Sequence, residues 1–198
     1  MPKVVPRYKE QAKSRIIEAA LRVFAKKGYH EATMKDVADR LRVSEGTIYL
    51  YFKSKRELFK AIGDLGERQT AEVISSAIQS EDPVRRFFDL AADLYEQYEP
   101  ISGLIFELFA EASRDASLRK IIRGDFDKDR ETMRAFLVEL QKRDRIESDI
   151  DVNSVAMAIV TLFYGYAISR LLGVGKDEAK RTYREAMRLM LVGSEANR

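Results

Sequence analysis

Helix-start signals recur along the whole chain, and nothing of comparable strength marks a strand. Thr33-Met34-Lys35-Asp36 and Ser54-Lys55-Arg56-Glu57 are capping boxes, in which a hydroxyl and an acid three residues later take up orphan N–H groups of the first turn. Ser44 and Asp151 each precede an apolar-periodic run, and Asp82-Pro83 sets an N-cap before Pro at the first helical position. Apolar stripes with helical spacing follow: Ile16, Ile17, Ala20, Leu21, Val23, Phe24; Val84, Phe87, Phe88, Ala91, Tyr95, Tyr98; Ile101, Leu104, Ile105, Leu108, Ala112. The first stripe ends at Lys26-Lys27-Gly28, where cations and a glycine suit a helix C-terminus. Further helices are predicted at roughly 117–143, 152–172 and 176–192, the last two separated by Gly173-Val174-Gly175. The pattern predicts an all-α fold of about nine helices. Ten Gly and four Pro among 198 residues agree with long uninterrupted helices.

Composition removes most catalytic chemistry. Cysteine is absent and His30 is the single histidine, so thiolate sites, multi-imidazole metal sites and Ser-His or Cys-His pairs are excluded. Neither G-x-S-x-G nor a P-loop occurs. The carboxylates Asp125, Asp127, Asp129 and Glu131 lack the glycine and terminal Glu of a calcium loop. We therefore expect no enzyme, no cofactor and no metal. The most apolar stretch, 155–168, is 14 residues long, short of the 18 or so that a span needs. No secretory signal is visible, so a cytoplasmic protein without a membrane partner is expected.

Charge is divided unevenly. Residues 1–56 carry 14 Lys and Arg against 6 Asp and Glu, a net +8, whereas residues 57–198 carry a net −5. A basic first quarter on an acidic remainder suggests a polyanion-binding module joined to a body with another task. The division predicted is 1–56 and 57–198. Within the basic part, two short helices separated by Arg42-Val43 have helix-turn-helix dimensions. The second would lie in the major groove of DNA. Its sequence, Ser44-Glu45-Gly46-Thr47-Ile48-Tyr49-Leu50-Tyr51-Phe52, puts Ile48 and Phe52 inward and leaves Gly46, Thr47, Leu50 and Tyr51 outward. Lys53 and Lys55 follow within reach of phosphates.

The segment from Ala19 to Ile62 resembles the TetR family of transcriptional regulators. The resemblance is carried by Ala20 and Phe24, Gly28-Tyr29, Thr33, Asp36-Val37-Ala38, the run 43–52 quoted above, and Lys53-Ser54-Lys55-Arg56-Glu57-Leu58-Phe59. It implies a three-helix DNA-binding head on a larger helical domain for ligand binding and dimerisation. It further implies a homodimeric repressor of a palindromic double-stranded DNA operator, released by a small molecule. Carried over by position, Thr33, Ser44, Tyr49, Tyr51, Lys53 and Lys55 would contact phosphates, and Gly46, Thr47 and Leu50 would face bases. Leu50 departs from the polar or aromatic residues often found there and suits a thymine methyl. Lys3, Arg7 and Lys9 would form a minor-groove arm.

Two further jobs fall to the body. The predicted helix 152–172 is apolar around nearly its whole circumference, which suggests that one side meets a second subunit. With the last helix it would form a four-helix dimer interface through Val155, Ile159, Leu162, Tyr183, Met187, Met190 and Leu191. The family resemblance implies a cavity, whose candidates are Phe87, Phe88, Tyr95, Tyr98, Phe106, Phe109, Phe126, Met133, Phe136, Phe163, Tyr164 and Tyr166. Its ligand would be large and apolar, and a fatty acid or acyl-coenzyme A suits that lining with the flanking cations Arg85, Arg86, Arg119, Lys120, Arg123 and Arg130. Two alternatives remain beside the ligand-released repressor: a ligand-independent activator or architectural DNA binder, and a helical small-molecule carrier or enzyme with a basic arm.

Overall fold

The computed structural model describes residues 6–99 and 102–192. Nine helices and no strand occur among the described residues: α1 (Pro6–Glu31), α2 (Met34–Leu41), α3 (Glu45–Tyr49), α4 (Lys55–Ile78), α5 (Pro83–Tyr98), α6 (Ser102–Ala112), α7 (Ala116–Lys142), α8 (Val152–Leu171) and α9 (Lys176–Val192). They form two compact units, residues 1–65 with 103–122, and residues 66–102 with 123–198. The first unit thus takes in the start of α4, nearly all of α6 and the first turns of α7, in addition to the predicted segment 1–56.

In the first unit α1 runs helically to Lys27, then breaks at Gly28, whose φ of 78° and ψ of 162° lie outside helical geometry. The positive φ calls for glycine there, since it strains an L side chain, and a Cβ would also push the Glu107 carboxylate aside. The carboxylate's Oε1 accepts the His30 N–H (3.2 Å), so α6 helps close the end of α1. The first capping box forms in full, and at the second the acid reaches back one residue further, to Lys53. Thr33 accepts the Asp36 N–H while Asp36 accepts the Thr33 N–H, and Ser54 accepts the Glu57 N–H while Glu57 accepts from the Lys53 amide. Phe24, Val37, Ala38, Ile48 and Leu58 form the core, covered by Leu104, Leu108 and Leu118. Arg56 adds a polar tie to Asp115 (3.0 Å) and Ser117 (2.8 Å).

The second unit buries one face each of α5, α7, α8 and α9. Phe87 lies 4.9 Å from Phe136 between ring centres, and Tyr95 packs edge-on against Tyr166 at 4.2 Å. Asp89, Asp93 and Glu96 of α5 pair with Arg184, Lys180 and Lys176 of α9 in reverse order (3.0, 2.9 and 3.2 Å). Each such pair is worth little, but the ladder fixes the antiparallel register of the two helices.

Within the single chain α8 is covered on one side only. Ala156, Ile159, Val160, Tyr166 and Ala167 face inward, while Met157, Ile168 and Leu171 are exposed, as is Leu172 at its cap. α8 is the one helix among the described residues long and apolar enough to cross a membrane. Its inner face packs as that of a core helix does.

Candidate nucleic-acid interface and effector pocket

Ser44 caps α3, accepting the Thr47 N–H at 3.2 Å, and Ile48 and Phe52 anchor the helix by burial in the core of the first unit. Glu45, Gly46, Tyr49 and Leu50 are then exposed, Leu50 to 79%. Thr47 and Tyr51 are half-buried, Tyr51 against the core. α2 and α3 are joined through Arg42 in the left-handed region (φ 57°), which makes the sharp turn.

Several side chains expected at phosphates are engaged inside the fold. Thr33 donates its single hydroxyl proton to Asp36 (2.8 Å). The Ser44 and Thr47 hydroxyls bond each other at 2.8 Å, which leaves one O–H of the pair to donate outward. The largest correction is Lys55. Its ammonium donates to the carbonyls of Tyr29 (2.6 Å), His30 (2.9 Å) and Ala32 (2.9 Å), and sits 4.6 Å from the centre of the Tyr29 ring. It caps the end of α1, where unpaired carbonyls and the helix dipole favour a cation. Burial draws its pKa down, against the pull of Glu111 and Glu107. Lys53 is exposed, and so are Arg40 and Arg42. Lys27 and Lys35 are paired with Asp36 and Asp39 (both 2.6 Å). Asp36 is held at about 2, chiefly by its bond from Lys27 and then by Thr33. Lys3 and the Arg7 side chain lie outside the described residues, and Lys9 is exposed.

For Lys55→Met we expect a loss of about 2–3 kcal/mol in urea unfolding, the scale of stranding carbonyls bonded to a charge. The salt slope of DNA binding should stay unchanged, whereas a true phosphate contact would lower it by about one per site.

The candidate pocket residues fall in both units. Phe87, Phe88, Tyr95, Met133, Phe136 and Tyr166 are buried in the second, with Phe126, Phe163 and Tyr164 half-buried there. Phe106 and Phe109 belong to the first, their rings 6.4 Å apart. The side chain of Tyr98 lies outside the described residues. Phe126 stacks on Tyr164 (6.2 Å), and Tyr95 meets Phe163 edge to face (5.2 Å). Among the described residues three buried side-chain polar atoms lack a hydrogen-bond partner by geometry: the Tyr95 hydroxyl, which faces Ser102, Oδ1 of Asp127 and Nε of Arg170. Among the flanking cations, Arg119 bonds the carbonyls of Ala112 and Ser113, and Arg123 and Arg130 pair with Asp127. Glu131 is taken by Arg134.

Asp129, set aside above with its neighbouring carboxylates, stands apart from them in the folded chain. Burial first, then the charges of Asp125 and Glu67, push its carboxyl up to about 6, and Lys128 offsets only part of this. Tyr164 is driven up to about 12 by burial and by the same aspartates. An unfolded Asp titrates near 4, so between about pH 4 and 6 the folded chain keeps a proton that the unfolded chain has lost. Stability contributed by this group therefore falls as pH rises through that window. Asp129→Asn should flatten the fall and stabilise the protein at pH 7.5 by about 1–3 kcal/mol, read from urea midpoints across pH.

The residues expected at a subunit interface also need correction. Ile159, Tyr183, Met187 and Leu191 are buried within their own unit, and Tyr183 packs against Tyr166 (5.5 Å). Val155, Leu162 and Met190 are half-buried. Apolar side chains left in the open on these helices are Met157, Ile168, Leu171 and Leu172 of α8 and its cap, and Leu189 of α9.

α2, the turn at Arg42 and the capped α3 with its bare outer face have the form of a helix-turn-helix. Residues 16–62 match the model of the tetR family of bacterial regulatory proteins. The chain is 28% identical over 130 residues to the HTH-type transcriptional regulator YfiR of Bacillus subtilis, a match spanning 64% of this chain and 63% of that relative. Its fold is that of GusR of Salmonella enterica (TM-score 0.77, 20% identity, 96% of this chain and 100% of that one). It is also that of FadR of Bacillus subtilis, solved with stearoyl-CoA (TM-score 0.72, 21% identity, 91% and 98%). The likeness to this family thus runs through residues 16–62 by sequence, and nearly the whole chain shares the fold of these solved regulators.

Proposed function

We propose that this chain is a repressor that binds a palindromic operator as a homodimer and is released by a large apolar small molecule. The observation that carries the reading is the outer face of α3, which is exposed among the described residues while Ile48 and Phe52 anchor it by burial. Two such helices about 34 Å apart would enter successive major grooves. The uncovered apolar strip on α8 and α9 supports pairing of two chains through those helices. The ring-lined interior of the second unit supports an apolar effector, and Nε of Arg170 is a buried donor without a partner in that unit. Since FadR of Bacillus subtilis was solved with stearoyl-CoA, a long-chain acyl thioester is the first molecule to try. α4 has residues in both units, so an effector that tilts it would change the spacing of the two α3 helices.

The test is a gel-shift assay on the DNA upstream of the gene itself. Affinity should fall steeply with salt, as several counterions leave per dimer. A long-chain acyl-CoA should weaken the complex about 5- to 150-fold, the range of ordinary coupling energies. A flat salt response would overturn DNA binding as the function. A complex indifferent to a metabolite panel would replace release by ligand with ligand-independent regulation.

A further inference from the structure

We propose that Leu50 sets operator specificity by packing against the 5-methyl group of a thymine, so that each half-site carries one thymine read through its methyl. The inference rests on α3 being the DNA-reading helix. A single exposed leucine is common on protein surfaces and by itself decides nothing. What decides here is the company it keeps. Leu50 is the most exposed large apolar residue among those described, at 79%, and it caps the helix whose opposite face is fixed by Ile48. Its own N–H is taken by the Gly46 carbonyl at 3.2 Å, so neither its backbone donor nor its side chain can bond a base.

The rest of that outer face narrows the partner. Glu45, Gly46, Thr47 and Tyr49 share it, and none is Lys or Arg. The guanine edge, with its two acceptors, is read by Lys or Arg, and adenine by Asn or Gln. α3 has none of these. Among the groups displayed in the major groove only the thymine methyl is apolar, and only it gains by meeting a leucine. An adenine or cytosine amino group set against Leu50 would instead lose its water without a replacement bond.

The experiment starts from a random-sequence duplex pool selected by the full-length protein, which defines the half-site. Each thymine of the selected duplex is then replaced by deoxyuridine, removing the methyl and nothing else. For one thymine per half-site, affinity should fall about fourfold, and about fifteenfold when both half-sites are altered, the scale of one buried methyl at each. Leu50→Ala should bind the thymine and uracil duplexes equally. Because Leu50 is exposed, the variant should melt like the parent. If deoxyuridine has no effect anywhere, or weakens parent and Leu50→Ala alike, this inference fails while DNA binding stands. If the protein selects no sequence at all, the operator-binding reading fails and takes this one with it.

Discussion

Leu172→Asp is expected to split the dimer without unfolding the chain. Leu172 is 77% exposed at the end of α8, in line with Met157, Ile168 and Leu171. If that strip meets its copy in a second chain, two carboxylates are forced into an apolar contact, at a cost of about 3 kcal/mol or more. The dimer dissociation constant should then rise at least about 100-fold, which sedimentation equilibrium reads directly. Operator affinity should collapse with it, because each half-site is then held by one head alone. An unchanged dissociation constant would place the subunit contact elsewhere.

Met187→Ala should do the reverse. Met187 is fully buried in α9, within a second unit that also encloses Tyr183 and Leu191. Truncation leaves a cavity, and such changes cost about 2–5 kcal/mol. Urea unfolding at fixed protomer concentration should show that loss, while sedimentation well below the transition should still find a dimer. Had the residue lain in the subunit contact, both measurements would move together.

The contrast between these two residues shows what a sequence discloses and what it withholds. Helix boundaries in the head were legible because caps are local: Thr33 with Asp36, Ser54 with Glu57, and Ser44 ahead of α3 each act within four residues. The inward turn of Ile48 and Phe52 followed from spacing alone. On α8 and α9, hydrophobic periodicity marks apolar positions but does not say whether they face the same chain or another. Tyr183, Met187 and Ile159 looked like contact residues because they are apolar, and they are buried for that same reason. Lys55 was opaque in another way. Its partners are carbonyls 23 to 26 residues earlier, and backbone acceptors leave no trace in a sequence. Asp129 was hidden because only folding brings Glu67 near it.

The inclusion of residues 103–122 in the first unit bears on how the protein is made. Leu104, Leu108, Ala112 and Leu118 cover a core whose other buried members all precede residue 60. A nascent chain that has emerged only through α4 holds every residue of the helix-turn-helix yet lacks this apolar cover. The head therefore cannot finish closing until the ribosome has translated past α6, and a gene fragment cut after residue 65 should give an aggregation-prone product, not a portable DNA-binding module.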